Sequence, residues 1–269
     1  MNNNINIYCV TDKPLLKLEN SHLNLAGVGK NLFSDSYIKS NQKQNINSKE
    51  HYYSELTFHY WYWKNLLKND DDKWIGFCQK RRFWIKESSK DFKISKDNLT
   101  EHLLTEIPQN FTKYESFLCE PIFVNNVKKI KMLKKGYKSL MRNPSIFFNT
   151  DIQSLKFHFD MHHGHGNLSR AIDCLDMNDK EDFRQYMSAN VSFHPHIMFI
   201  TKSEIAEKWF SDLFSWLFEC EKIFGFKNLK GYETTRLYAY LAERYLSFWF
   251  TKYTKFKSWP WTFCDMSQN

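Results

Sequence analysis

The run Trp74-Ile75-Gly76-Phe77-Cys78 constrains the fold most, because it offers no polar position at either strand or helix spacing. A strand with one wet face alternates, and an amphipathic helix repeats every ~3.6 residues; an unbroken short apolar run belongs to a strand covered on both faces. Such strands lie in the middle of α/β sheets, and ligands of these sheets collect at the carboxyl edge. The chain leaves this strand through Gln79-Lys80-Arg81-Arg82, so cations stand where a ligand crevice is expected.

The flanking sequence supports an α/β front half. Asn4 to Val10 is β-rich and stops at the turn Thr11-Asp12-Lys13-Pro14, and Leu23 to Gly29 reads as a second short strand ending in a glycine turn. Ser34 to Ser48 is polar and reads as a loop. Tyr53 to Asn65 is aromatic on several sides without a breaker, which predicts a buried helix capped by Ser54 and closed by a turn at Asn69-Asp70-Asp71-Asp72. Ser116 to Ile122 and His196 to Ile200 read as strands. Helical spacing marks 167–175, 179–189, Ser203 to Ile223 and Thr234 to Tyr253, so the back of the chain is expected to be mainly helical. One domain over 1–269 is expected, with 1–125 as its sheet-bearing part and 126–269 as its helical part.

Scarce Gly and Pro in 269 residues argue against a repeat or disordered chain. No apolar run reaches the ~20 residues that span a bilayer, and Met1-Asn2-Asn3-Asn4 lacks the regions of a signal peptide, so a cytosolic protein is expected. Six scattered cysteines without a CxxC pair read as reduced core thiols. The net charge of +8 favours anionic partners. Much of it lies in Lys128, Lys129, Lys131, Lys134, Lys135 and Lys138, whose spacing suits a solvated helix face or a patch facing anionic lipid. A nucleic-acid partner is not expected, since the aromatics lie at core spacing.

Three constellations carry chemistry. Arg81 and Arg82 offer planar donor forks that can neutralise a diphosphate without a metal. His158-Phe159-Asp160-Met161-His162-His163-Gly164-His165 could hold a metal, supply a carboxylate base among imidazoles, or line an acceptor pocket; if extended, His158, Asp160 and His162 share one face. Glu243-Arg244 is a charged pair inside an apolar helix and must be solvated, paired or functional.

Tyr53-Ser54-Glu55-Leu56-Thr57, Tyr60 to Asn65 and Ile75 to Phe83 together resemble a capsular-polysaccharide glycosyltransferase family first catalogued as a domain of unknown function. In that family a similar helix precedes a strand ending in His-Tyr-Arg-Arg-Tyr. Ile7 to Lys13, Met198-Phe199-Ile200 and Leu241-Ala242-Glu243-Arg244 continue the likeness in order over nearly the whole chain. Gln79 and Lys80 differ from its His-Tyr, and Ile197 from its Asn.

The resemblance implies a GT-A-like α/β fold with a mixed central sheet, and transfer of a hexose or galactofuranose from a nucleotide-diphosphate donor, UDP-linked, to a glycan or lipid-linked glycan in capsule or lipopolysaccharide assembly. The resemblance makes 1–125 the nucleotide-sugar-binding part and 126–269 the acceptor-side and helical part; carried over by position, Thr11, Lys13, Val28, Gly29, Glu55, Arg81 and Arg82 bind the donor. Asp160 and Glu243 are the carboxylates available as general base, with Asp160 preferred. His158, His162, His163 and Arg244 belong to the acceptor side. No residue is assigned to a metal, and a divalent cation (Mn or Mg) is left open. Such an enzyme would work in the cytoplasm, peripheral to the anionic inner face of the membrane. The alternative is a metal-dependent hydrolase or lyase centred on His158 to His165.

Overall fold

The computed structural model describes residues 4–68 and 73–267; the turn expected at Asn69 to Asp72 lies outside the described residues. Its strands are β1 (Ile5–Thr11), β2 (Asn24–Gly27), β3 (Ile38–Lys39), β4 (Trp74–Gln79), β5 (Arg82–Trp84), β6 (Ser116–Cys119), β7 (Ile122–Phe123), β8 (Ser192–Phe193), β9 (Phe199–Lys202), β10 (Phe256–Trp259) and β11 (Trp261–Phe263). The helices are α1 (Glu50–Tyr53), α2 (Leu56–Asn65), α3 (Leu99–His102), α4 (Lys129–Lys135), α5 (Tyr137–Arg142), α6 (Leu155–His163), α7 (Asn167–Asp173), α8 (Met177–Ala189), α9 (Ser203–Phe224), α10 (Tyr232–Thr235) and α11 (Leu237–Tyr253). The chain divides into two compact units. A sheet unit comprises Met1–Glu120, His196–Asp212 and Trp249–Asn269, and a helical unit comprises Pro121–Pro195 and Leu213–Phe248.

The sheet unit is built on one mixed sheet in the order β10-β6-β9-β4-β1-β2-β3, with β5 paired to β4 and β11 to β5. β1 runs parallel to β2 and β4, and β9 runs antiparallel to both β4 and β6. As the unbroken apolar pattern predicts, β4 is central, and Trp74 through Cys78 are all buried. On one face Phe77 meets a cage of rings: His59 at 4.4 Å, Phe199 at 5.1 Å, Tyr62 at 5.3 Å and Phe210 at 5.8 Å. His59 is fully enclosed, and burial drives its pKa down to about 3, so it packs there as a neutral ring. Elsewhere in the unit Trp259 meets Phe111 and Phe117, each at 5.1 Å, and donates Nε1–H to the Ile85 carbonyl at 2.9 Å. Tyr and Trp are tolerated in such cores because their polar atoms find partners.

The structure corrects several local expectations. The helix expected from Tyr53 is broken into α1 and α2 at Ser54, which takes φ 54° and ψ −133° instead of capping. The loop from Ser34 contains β3, whose Ile38 and Lys39 pair in parallel with β2. The strand expected at His196 starts at Phe199, because His196 sits at φ 65° and cannot extend the ladder. The helical back of the chain ends in β10 and β11, which return to the sheet.

In the helical unit, α8 and the 213–224 and 237–248 segments of α9 and α11 bury Phe183, Trp216, Tyr245 and Phe248 against one another. Two polar bonds pin this core: Tyr245 Oη donates to Asp179 Oδ2 at 2.8 Å, and Trp216 Nε1–H donates to the Ala171 carbonyl at 2.7 Å. β7 and β8 form a separate antiparallel pair. Of the six cysteines, which are all free thiols, only Cys174 is not buried.

Candidate functional site

At the carboxyl edge of β1, β2 and β4, the expected donor residues of the sheet unit come together. Thr11 is buried; its hydroxyl donates to the Lys13 carbonyl and accepts the Lys13 N–H at 3.1 Å, which closes the turn after β1. Val28 N–H donates to the Thr11 carbonyl at 2.9 Å, and Lys80 N–H to the Val10 carbonyl at 3.2 Å, so the exits of all three strands are laced together. Lys80 Nζ pairs with Asp12 Oδ1.

A polar chain then runs along the edge. Glu55 Oε1 accepts from Gln79 Nε2, and Gln79 Oε1 accepts from Arg82 Nη1 at 3.1 Å. Gln79 is thus a neutral bridge between a carboxylate and a guanidinium. Arg82 also lies over the Phe263 ring, 5.8 Å from its centroid. Arg81 Nε stands 2.9 Å from Asp265 Oδ2, while its carbonyl accepts the Cys264 N–H at 2.9 Å. The Asp265 carboxyl is held below its ordinary pKa, first by the Ser267 hydroxyl and also by Arg81. Arg81 keeps two-fifths of its side chain exposed, so its fork remains open to an anion.

Beside this edge is a cleft of about 180 Å³ lined by Gly27, Gly29, Asn31, Lys39, Ser40 and Asn47, among others. A Cβ at Gly27 would stand 2.5–2.8 Å from the Phe33 ring, so only glycine lets that ring close over β2. The cleft offers amide, hydroxyl and ammonium groups in a small volume.

In the helical unit, His158, His162, His163, Glu243 and Arg244 also come together, but not as an extended segment would bring them. Residues 155–163 form α6, so His158 and His162 share a helix face with rings 4.6 Å apart, and Asp160 points away from them. The shared face predicted for His158, Asp160 and His162 is therefore corrected. Asp160 is enclosed: Oδ2 pairs with Lys156 at 3.0 Å and Oδ1 accepts Gly166 N–H at 3.1 Å, which fastens the Gly164-to-Gly166 turn to the helix. His163 stacks on Tyr240 at 3.8 Å and shares a hydrogen bond with the Glu233 carbonyl at 3.0 Å. His165 Nδ1 stands 3.2 Å from Ser139 Oγ and 3.6 Å from Asp160 Oδ2.

Arg244 is the charged centre of this group, with only 2% of its side chain exposed. It pairs with Glu243 Oε2 at 2.7 Å, reaches His158 Nδ1 at 3.4 Å and lies over the Phe193 ring at 3.6 Å. The surrounding imidazoles stay neutral. His158 is lowered to about 2 by burial and then by Arg244, His163 to about 4 for the same reasons, and His162 to about 4 by burial and then by Lys131. Among the described residues, no three His, Cys, Asp or Glu side chains are grouped to hold a metal ion.

The sequence reading missed Asp12 and Asp265, which hold Lys80 and Arg81, and His196, a non-glycine residue at positive φ whose ring meets Trp261 at 4.9 Å. The alternating Trp261-Thr262-Phe263 was a strand signal that would have placed Asp265 near the edge. No sequence signal foretells the His196 backbone.

No curated protein matches the chain. One solved structure, the apo form of WbbM, described as a bifunctional glycosyltransferase, superposes with a TM-score of 0.62 at 20% sequence identity, over 97% of this chain and 45% of that one. The chain thus spans less than half of WbbM's length, and at this identity the likeness establishes the fold. The family described as a domain of unknown function, DUF4422, matches residues 6–255. That match covers most of the chain, which belongs to the DUF4422 family.

Proposed function

We propose that the chain is a glycosyltransferase with a GT-A-like fold, moving a hexose or galactofuranose from a UDP-linked donor to a glycan in capsule or lipopolysaccharide assembly. The observation that carries this reading is the carboxyl edge of β1, β2 and β4, where Lys80, Arg81 and Arg82 lie together at the exit of the central strand. The fold shared with WbbM, itself a glycosyltransferase, supports it.

In this proposal Arg81 and Arg82 meet the diphosphate, Arg81 exchanging Asp265 for a phosphate oxygen. Thr11, Lys13, Val28, Gly29 and Glu55 shape the donor pocket, and the small cleft beside Gly27 and Gly29 takes the base. The bond from the anomeric carbon to the diphosphate oxygen breaks, the electron pair leaves with the diphosphate, and the acceptor hydroxyl oxygen bonds to that carbon as its proton passes to a carboxylate. Preorganised cations stabilise charge that grows on the leaving group. Of the carboxylates at this edge, Asp12 pairs with Lys80, Asp265 with Arg81, and Glu55 accepts from Gln79.

His158, His162, His163 and Arg244 are assigned to the acceptor side. Asp160 and Glu243 are the carboxylates proposed as general base; Asp160 is enclosed, and Glu243 keeps 19% of its side chain exposed. A cytoplasmic location is part of the same proposal, and a lipid-linked acceptor would bring the chain to the anionic inner face of a membrane.

Thermal melting with nucleoside diphosphates tests the reading. UDP at ~100 times its Kd should stabilise the chain by ~2.7 kcal/mol. No shift with any nucleoside diphosphate would overturn the proposal.

A further inference from the structure

The helical unit also carries a strongly basic surface. From Pro121 to Thr150 the chain has no acidic residue, while seven Lys and Arg side chains fall between 128 and 142. Among the described residues, Lys135 is the one member of this run with an ion-pair partner, Glu233. Apolar residues interleave with these cations, and they face outward. Ile130, Leu133, Tyr137 and Met141 are 70%, 57%, 51% and 79% exposed. Ile130 and Leu133, three apart, share an outward face of α4, and Tyr137 and Met141, four apart, share an outward face of α5, which together give an apolar stripe.

The opposite requirement, an anchored inner face, is met within the same unit. Met132 is buried with Phe157 and Met161, and Leu140 packs on that cluster. A Cβ at Gly136 would come within 3.1 Å of both Met161 Sδ and the Phe157 ring, so the absent side chain lets the helices lie directly on α6. The outward stripe is therefore not a core face awaiting its partner elsewhere in a loose segment. Phe123 and Phe148, from the neighbouring segments of the unit, are exposed as well.

We propose that α4 and α5 form an interfacial docking surface for an anionic lipid bilayer, with Ile130, Leu133, Tyr137 and Met141 entering the headgroup boundary and the lysines beside them facing acidic headgroups. Charge complementarity selects this occupant. A second copy of this surface would bring like charges together, whereas an acidic bilayer satisfies the cations and the apolar stripe at once. A nucleic acid would meet the cations and leave aliphatic side chains without a use. The proposal stands on residues of the helical unit alone and holds whether or not the chain transfers sugar.

The test is co-sedimentation of the full chain, without nucleotide, with vesicles of phosphatidylcholine alone and of an equimolar mixture with phosphatidylglycerol. Binding is expected only to the mixture, weakening as salt rises from ~0.1 M to ~1 M and screening shortens to about 3 Å. The double variant Lys134→Glu with Lys138→Glu should lower partitioning more than about tenfold. Ile130→Ser with Met141→Ser should remove the binding that survives high salt. All four positions are exposed, and unchanged circular dichroism and melting would show that the fold is kept. Failure of the wild-type chain to pellet with the mixture, or pelleting of both variants equal to that of the wild type, overturns the proposal. So does preference for a random-sequence oligonucleotide over the vesicles at the same salt, or a dimer that dissolves in the Ile130/Met141 variant.

Discussion

The carboxyl edge of the sheet unit and the Arg244 cluster of the helical unit are both built on arginine, yet they use it in opposite ways. Arg81 is partly exposed and held by one carboxylate, so it can trade that partner for a ligand at little cost. Arg244 is enclosed by Glu243, His158 and the Phe193 ring, and it has no such freedom. A charge at a strand exit is free to trade partners, whereas a charge sunk into a helix core holds its neighbours in place.

Removing Arg244 should have the largest effect. Arg244→Ala strands the partly buried Glu243 carboxylate and opens a gap under Phe193, and chemical denaturation should show a loss of ~3–5 kcal/mol. Arg81→Ala lies at the other pole. Without ligand it should melt within ~0.5 kcal/mol of wild type, whereas the ~2.7 kcal/mol expected from UDP at 100 times Kd should disappear. Equal losses of intrinsic stability in the two variants would break the comparison.

Gly27→Ala sharpens it on the sheet side. The added methyl meets the Phe33 ring, and the change should cost ~1–3 kcal/mol while weakening UDP binding through the adjoining cleft.

A last contrast is a pH dependence. His158, His162 and His163 have folded pKa values of about 2, 4 and 4, below the ordinary imidazole value. The unfolded chain therefore takes up protons that the folded chain refuses, and the stabilisation present above pH ~6.5 is lost as pH falls toward ~4. His163→Phe keeps a ring on Tyr240 and should flatten the melting-temperature profile across that window. An unchanged slope would mean that the fold does not hold His163 neutral.

Much of the fold was legible from residue order. β4 announced itself because a strand covered on both faces must be apolar throughout, and α9 and α11 because a partly buried helix repeats its apolar residues. The basic edge followed from β4, since the residues after a central strand must surface at the sheet's rim. The histidine group was less legible. Its residue types were visible, but helix and strand place Asp160 on different sides of His158, and the local pattern does not choose between them. β10 and β11 were overlooked because short strands give weak periodicity.

What the sequence by itself determined is the inside of this protein: which strand is central, which helix faces are buried, and that cations emerge at Lys80, Arg81 and Arg82. Hydrophobic burial is written into local periodicity, so these features need no knowledge of distant partners. Only the tertiary structure decided how each charge is spent. Asp265 reaches Arg81 across 184 positions of sequence, and His158 reaches Arg244 across 86. Long-range pairing of polar groups depends on where the folded backbone brings them, and no local pattern carries that distance.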